Sequence, residues 1–357
     1  MQNKLLYITN SMDINNTIGY RHSNIVKVLS NSLSVDLLDF AFTKNQNTFL
    51  KKVINKLFIF PDIYWLSIPR YKKRIQEKLS TQQYGAVVVA TLPHSFLTLA
   101  SFIKKQQPNL NVIVDLTDPL TANVSYLHYS KLYKNYINWY ETKHFKNVDQ
   151  LIVLNEEIKS YYQEKYPSIK KITVIEQAIG ENEVPITLND LKLNSIKELV
   201  YAGMLYERLR EPFELYKAVT HSSITWRLSI YGSFKKKFLP PTSERIIYNG
   251  SINKTILHQK LSEYDIIVFI DNFYGIQSPG KILENLATNK PVLFIYENEN
   301  SPTLKFTKEF EGVFYSKNNS KEIGDTIDKI IDTKIISFKR DLSKHYWHNI
   351  IKETDYI

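Results

Sequence analysis

Short runs of Val, Ile and Leu recur along the first half of the chain, separated by longer segments in which apolar residues return every three or four positions. The runs are "LLYIT" (5–9), "SVDLLDF" (34–40), "AVVVAT" (86–91), "NVIVDL" (111–116), "QLIVL" (150–154) and "KITVI" (171–175). Each has strand length, and most show no polar alternation, which is the pattern of strands buried on both faces. The segments between them predict helices over about 20–31, 94–106, 125–146 and 155–165. A βαβ series of this kind predicts a parallel, doubly wound sheet.

A polar interval, "GENEVPITLNDLKLNSIK" (180–197), interrupts the alternation with Gly, Pro and several Asn and reads as a linker. The pattern restarts with "ELVYAG" (198–203), "WRLSIYG" (226–232), "RIIYNG" (245–250), "DIIVFI" (265–270) and "PVLFIY" (291–296), with helices expected over 211–220, 253–262 and from about Gly280. The tail "FKRDLSKHYWHNIIKE" (338–353) reads as a helix with Leu342, Tyr346 and Ile350 on one face. The expected architecture is α/β, with two Rossmann-like domains at 1–180 and 181–335 and a C-terminal helix, 336–357, crossing back to the first. Two such domains imply a cleft. Ligands of open α/β sheets bind beyond the carboxyl ends of the strands, so the loops after the strands are the candidates.

Composition narrows the class. The 357 residues are 43% hydrophobic with 24 Tyr and 18 Phe, enough for two cores and against long disorder. The lack of Cys removes disulfides, thiolate metal sites and a cysteine nucleophile, and suits a reducing cytoplasm. The start, "MQNKLLYITNSMD", breaks its apolar run at Thr9-Asn10, too early for a signal peptide. No run approaches the ~20 apolar residues of a membrane span. A cytoplasmic protein, at most peripheral to the inner face of the membrane, is expected. The net charge of +10 asks for anionic partners, either nucleic acid, an anionic membrane face or phosphorylated small molecules. A bias toward Lys, Ile, Asn and Tyr accounts for part of it. No nucleic-acid module accompanies the charge, so nucleic acid is not an expected partner.

The segment "SPGKILENLATNKPVLFI" (278–295) carries the sharpest motif. Through Gly280, Lys281, Glu284, Ala287, Asn289, Lys290, Pro291 and Val292 it resembles the nucleotide-sugar signature of GT-B glycosyltransferases, in particular glycosyltransferase family 4. The physical reading agrees. A helix N-terminus offers N–H groups and partial positive charge to a diphosphate, and Lys281 adds a full charge. Glu284, one turn later, can accept hydrogen bonds from ribose hydroxyls. Ser278 and Pro279 lead into the helix as in the "s-P-x-K-x-x-E" variants of polysaccharide glycosyltransferases. The family carries another glutamate eight positions before Glu284, where this chain has Ile276. In many members that glutamate contacts the sugar.

The stretch "YAGMLYERLREPFELYKAV" (201–219) is similar to the family's phosphate loop. Gly203 ends the strand, Met204 takes the usual first basic position, and Arg208 and Arg210 lie in the loop, Arg210 where the second basic residue is expected. A guanidinium suits phosphate because its donors form a fixed, charged fork. "YGS" (231–233) and "YNGSINKTILHQKLSEYDIIVFI" (248–270) follow the family's order around the nucleobase, with Asn249 and Gly250 against the base. The matching pieces span residues 198–295.

In the first half, "VVVATLPHS" (87–95) and "VIVDLTDPL" (112–120) place His94 and Asp118 directly after strands. By resemblance they are the catalytic candidates: Asp118 toward an acceptor hydroxyl or an oxocarbenium-like transition state, His94 toward donor sugar or acceptor. Asp115 reads as a local hydrogen-bonding residue. The loop "SMDINNTIGYRHSN" (11–24) matches the family's flexible acceptor loop, with Gly19 and Arg21 as acceptor-binding candidates. Residues 49–78 interleave Lys and Arg with Phe60, Trp65 and aliphatic residues and read as an anionic-membrane contact; the Tyr-rich helix over 126–145 admits the same reading.

The resemblance implies a retaining glycosyltransferase that takes a UDP- or GDP-sugar as substrate, with no cofactor and no metal. Its acceptor would be a glycan, a lipid-linked or a protein-linked group of bacterial cell-surface glycan synthesis. The absence of an Asp-x-Asp motif is in keeping with that. Ile276 and Met204 motivate the alternative of a catalytically silent GT-B protein that binds glycan or serves as a partner subunit. A homo-oligomer is compatible with either.

Overall fold

Every run that the pattern marks as a strand is one in the computed structural model, which describes residues 4–41, 61–126, 129–181, 197–222, 226–241, 243–333 and 337–356. Most of the expected linker, and Phe60 with the first part of the basic segment, lie outside the described residues. The chain divides into two compact units, Met1–Ala178 with Trp347–Ile357, and Ile179–Tyr346.

The first unit holds a six-stranded sheet of β1 (Lys4–Thr9), β2 (Ser34–Asp39), β3 (Ala86–Ala90), β4 (Asn111–Asp115), β5 (Gln150–Val153) and β6 (Lys171–Val174). All neighbours are parallel, in the order β2-β1-β3-β4-β5-β6. Its helices are α1 (Thr17–Leu29), α2 (Ile68–Thr81), α3 (Leu97–Gln106), α4 (Lys131–Phe145) and α5 (Glu156–Lys165). Local chemistry starts them: Asn16 accepts from the Gly19 amide at the head of α1, and Asn155 accepts from the Ile158 amide at the head of α5. The β3 sequence "AVVVA" is buried at every position, as a central strand covered on both faces requires.

The second unit repeats the plan with β7 (Lys197–Ala202), β8 (Trp226–Tyr231), β9 (Ile246–Gly250), β10 (Ile266–Ile270), β11 (Val292–Tyr296) and β12 (Val313–Lys317). They are parallel in the order β12-β11-β10-β7-β8-β9. The helices are α6 (Phe213–His221), α7 (Lys254–Leu261), α8 (Ile282–Ala287), α9 (Pro302–Thr307) and α10 (Ser320–Asp332). The pattern reading does not mark β12 or α10. β12 is an edge strand with half-buried residues, and α10 buries only Ile323, Ile327 and Ile330 along one stripe. In each sheet the strand order reverses once, between β1 and β3 in the first and between β7 and β10 in the second. Those reversals create the crevices that ligands occupy in folds of this class.

The tail corrects an expectation. It is not one amphipathic helix over 338–353 but a 3-10 turn (Ser343–His345), the single turn α11 (Trp347–Ile350) and a second 3-10 turn (Glu353–Asp355). Leu342 packs in the core of the second unit, whereas Trp347, Ile351 and Tyr356 pack in that of the first. Residues shared between two cores cannot keep one continuous face. The crossing itself is present, and the Trp347 indole N–H donates to the Tyr20 hydroxyl at 3.2 Å.

Before it crosses, the tail braces the signature segment. Arg340 donates to the carbonyls of Glu311 (2.7 Å), Leu286 (2.9 Å) and Lys290 (3.0 Å), and the Phe338 amide donates to Asn289 (2.7 Å). One guanidinium thus closes the end of α8 and the entrance to β11. Arg340→Ala should lower stability by about 2–3 kcal/mol, read as a shifted urea midpoint at unchanged slope. Arg340→Lys should recover only part of the loss, because an ammonium cannot span three carbonyls.

Candidate functional site

The strand reversal of the second sheet brings together the loops after β7 and β10. On the other side of β7, the residues just past its end and that of β8 are glycines, which lets the two strands approach closely. The Gly203 amide donates to the Tyr231 carbonyl at 3.0 Å, and a Cβ on Gly232, at φ +151°, would collide with the Gly203 carbonyl. Beyond Gly203 the chain makes a turn closed by mutual backbone hydrogen bonds between Tyr206 and Arg210, of 3.0 and 2.8 Å. Arg208 occupies its exposed apex at φ +62°, and its amide donates to Glu211. Arg210 stands at the closed, half-buried end. The turn therefore separates the two arginines of the motif.

Arg210 is aimed at the other loop. Its guanidinium donates to Asn272 Oδ1 at 2.7 Å and to the Met204 carbonyl at 3.3 Å. Its Nε–H has no acceptor among the described residues. Asn272 in turn donates to the Gln277 carbonyl at 2.9 Å, and the Phe273 amide donates to the Leu209 carbonyl at 2.8 Å, so the two loops are tied together. Asp271 is fully buried and accepts from Ser301, the cap of α9, and from the Asn272 amide. Burial pushes its carboxyl up to about 6, against those hydrogen bonds and the charge of Arg210.

The loop after β10 continues through Ser278, buried Pro279 and half-buried Gly280 to Lys281, the cap residue of α8. With only six residues, α8 offers little of the dipole expected there, and the positive charge is carried by side chains. The Lys281 ammonium makes no hydrogen bond or ion pair with any described residue. Burial lowers its pKa, as do Lys254 and Arg210, with Glu284 opposing. Glu284 lies between Lys254 Nζ at 3.1 Å and His258 Nε2 at 3.4 Å. Although its burial works the other way, the His258 hydrogen bond and the charges of Lys254 and Lys281 bring its carboxyl down to about 2. It is held as a carboxylate at any ordinary pH. The group as a whole sets Arg210, Lys254 and Lys281 against one committed carboxylate, an arrangement that can accept an anion.

Asn249 and Gly250 end β9. Asn249 is exposed, Gly250 adopts φ +71°, and a Cβ on Gly250 would meet nothing. No hydrogen bond or ion pair ties either residue to the Arg210–Lys281–Glu284 group among the described residues. Sequence reading passed over Asn272, Lys254 and His258. Their signals were present: a polar pair directly after "IIVFI", and a Lys and His at i and i+4, hence on one face of α7.

In the first unit, His94 opens a 3-10 turn, His94–Phe96, after β3 and is buried, with Nδ1 lacking a partner among the described residues. The turn hangs on Asp62, which accepts from the Ser95 amide (2.8 Å) and hydroxyl (2.7 Å) and from the Tyr64 amide (3.0 Å). Asp118 is half-buried in the loop after β4. That loop is anchored by buried Glu141 of α4, which accepts from the Thr121 amide (2.9 Å) and hydroxyl (2.6 Å) and from the hydroxyls of Tyr162 and Tyr166 (both 2.9 Å).

The acceptor-loop residues are placed differently from expectation. Gly19 and Arg21 lie in α1, not in a mobile loop. A Cβ on Gly19 would collide with the backbone of Asp13, so glycine is needed for packing. Arg21 is completely buried, donating to Asp115 at 3.3 Å and to the carbonyls of Ile175 and Glu176, each at 3.0 Å. Asp115, read as a local hydrogen-bonding residue, is its counter-ion across the sheet. Arg21 is committed to the core because an unpaired buried guanidinium would be too costly.

No protein-family model matches this chain, and no curated protein matches it in sequence. Solved structures do match, over nearly its whole length. Sucrose-phosphate synthase from Thermosynechococcus elongatus superimposes with a TM-score of 0.66 at 12% identity, covering 98% of this chain and 92% of that one. The lipopolysaccharide outer core galactosyltransferase WaaB gives 0.64 at 13%, covering 99% and 97%. Anabaena HepE, solved with UDP and glucose, gives 0.62 at 12%, covering 97% and 93%. The fold is GT-B. The pair of parallel doubly wound sheets read from the strand pattern is thereby shown.

Two outcomes follow for this chain. Asn272→Ala takes an acceptor from the Arg210 guanidinium and a donor from the Gln277 carbonyl, and should lower stability by about 1–3 kcal/mol, read as a shifted urea midpoint at unchanged slope. The second concerns acid. Burial lowers His22, His94 and His144, all in the first unit, to about 4. Between pH 6.5 and about 4 the unfolded chain binds more protons at these positions than the folded one, so stability present above pH 6.5 is lost as pH falls through that window. Urea midpoints at pH 7 and 5 should show the first unit weakening; equal midpoints would contradict the assignment.

Proposed function

We propose that this chain is a nucleotide-sugar-dependent glycosyltransferase resembling glycosyltransferase family 4. The observation that carries the reading is the meeting of Arg210 and Lys281 at the strand reversal of the second sheet, beside a carboxylate that other cations already hold ionised. A nucleoside diphosphate has the chemistry for this place. Its phosphates would take Arg210 and Lys281, and Glu284 would accept from ribose hydroxyls. Asn249 and Gly250 would lie by the base. Stabilising the diphosphate as charge develops on it would supply much of the rate. Asp118 and His94 are the catalytic candidates of the first unit. Buried, depressed His94 would act as a neutral imidazole. The family resemblance adds retention of anomeric configuration and no requirement for a metal, and it suggests cell-surface glycan synthesis at the cytoplasmic side.

A thermal-shift series with UDP, GDP and dTDP tests this directly. The matching diphosphate should stabilise the protein by ~2.7 kcal/mol at about a hundredfold excess over Kd. Lys281→Ala should lose that shift, whereas Arg208→Ala, at the exposed apex, should keep most of it. A chain that neither binds a diphosphate nor hydrolyses any UDP-, GDP- or dTDP-sugar is not such an enzyme. Binding without hydrolysis or transfer would favour the silent alternative that Ile276 and Met204 motivate. Proton NMR of the product anomer reads retention, and an unchanged rate in chelator reads the metal requirement.

A further inference from the structure

The outward face of α4 carries a stripe of exposed apolar and aromatic side chains. Leu132, Tyr136 and Trp139, spaced i, i+4 and i+7, lie along one stripe and are 82%, 43% and 51% exposed. Tyr136 and Trp139 stack at 5.5 Å between ring centroids, and the Lys143 ammonium, one turn on, lies 4.6 Å from the Trp139 ring. Beside the helix, the 3-10 turn Ile63–Ser67 exposes Trp65 and Leu66, and the Trp65 ring meets Tyr140 of α4 edge-on at 6.4 Å. Exposed Lys131, Lys134 and Lys146 flank the stripe. Over residues 119–148 the single acidic residue is Glu141, which is buried and paired with Lys165. The face is therefore apolar, aromatic and positively charged, with no exposed carboxylate in that stretch to balance it.

We propose that this face, with Trp65 and Leu66, docks on an anionic lipid surface. Aromatic rings with one polar edge sit at the headgroup level, a leucine enters the acyl boundary, and lysines on the rim reach the lipid phosphates along their own apolar stems. An isologous contact between two copies would set these lysines against themselves without a counter-charge, which disfavours a second copy as the occupant. A platform for sugar stacking would use the rings but has no role for Leu132, the most exposed large apolar residue of the described chain. Among the described residues of the basic segment 49–78, Trp65 and Leu66 take part, and the larger share comes from α4, the Tyr-rich helix whose sequence admits the same reading. Docking bears on substrate class, and in this respect rests on the transferase reading. The buried side of α4 holds the Asp118 loop through Glu141 and Thr121, so a docked helix would present that loop to acceptors anchored in the same surface.

Flotation of the full chain with vesicles tests the proposal. Vesicles of phosphatidylcholine and phosphatidylglycerol in equal parts should carry the protein, vesicles of phosphatidylcholine alone should not, and raised salt should release it. Trp139→Ala combined with Leu132→Ser should reduce the bound fraction about fivefold or more, as should Lys131→Glu combined with Lys134→Glu. All four side chains are exposed, the charge reversals touch no packing, and an unchanged nucleoside diphosphate thermal shift certifies the fold. Equal flotation with both vesicle types, or binding indifferent to both double variants, would overturn the proposal. So would sedimentation showing a dimer that Trp139→Ala with Leu132→Ser dissolves, since the face would then belong to a second copy. Vesicle binding that persists in a chain with no diphosphate shift would overturn the transferase reading and leave docking in place.

Discussion

A parallel strand covered by helices on both sides has no place for polar chemistry along its length. β3 and β10 are buried at every residue, and their polar groups begin one position past the last ladder residue, at Thr91 and Asp271. Everything that can bind or react is thereby pushed to the carboxyl ends of the strands, and within those ends to the reversals where neighbouring loops part in opposite directions. The arrangement of Arg210, Asn272 and Lys281 in the second unit and of His94 in the first is a consequence of this exclusion.

The two units treat buried positive charge in opposite ways. Arg21 sits in a sheet-and-helix interior where a carboxylate and two carbonyls surround it, so its charge is consumed by the fold. Arg210 is held by neutral oxygens, the Asn272 amide and the Met204 carbonyl among them, and Lys281 by no described side chain, while the one nearby carboxylate that is held ionised, Glu284, is shared with Lys254 and His258. The segments that carry this cationic group are fixed through the backbone, the Phe273 amide donating to the Leu209 carbonyl and Arg340 to the Leu286 carbonyl at the end of α8. The same side-chain type is thus core in one place and a candidate ligand group in the other, and what separates them is the number of oxygens already in reach.

Much of this was legible in order but not in position. The β-branched runs located the strands within a residue or two because burial on both faces leaves an unbroken apolar string. β12 and α10 escaped because an edge strand is only half-buried and a surface helix shows a single stripe. The tail misled for a related reason: Leu342, Tyr346 and Ile350 have helical spacing, yet they serve two different cores, and periodicity carries no label for which core a residue enters. In the motifs, Arg208 and Arg210 look equivalent in a string. A turn with φ +62° at Arg208 sends one to solvent and the other to Asn272.

What the amino-acid order determined by itself was the repeated βα alternation, hence two parallel sheets, and the residue types at each strand end, including the Lys281–Glu284 spacing. These depend on local propensity and on hydrophobic period, both properties of neighbours along the chain. Which charges are used up was decided only by tertiary structure. The Arg21–Asp115 pair joins residues from α1 and the end of β4, and the cluster around Glu284 draws on α7 and α8. Such pairings arise when sheet order brings distant loops together, and electrostatic energy depends on distance through space, which no one-dimensional pattern records.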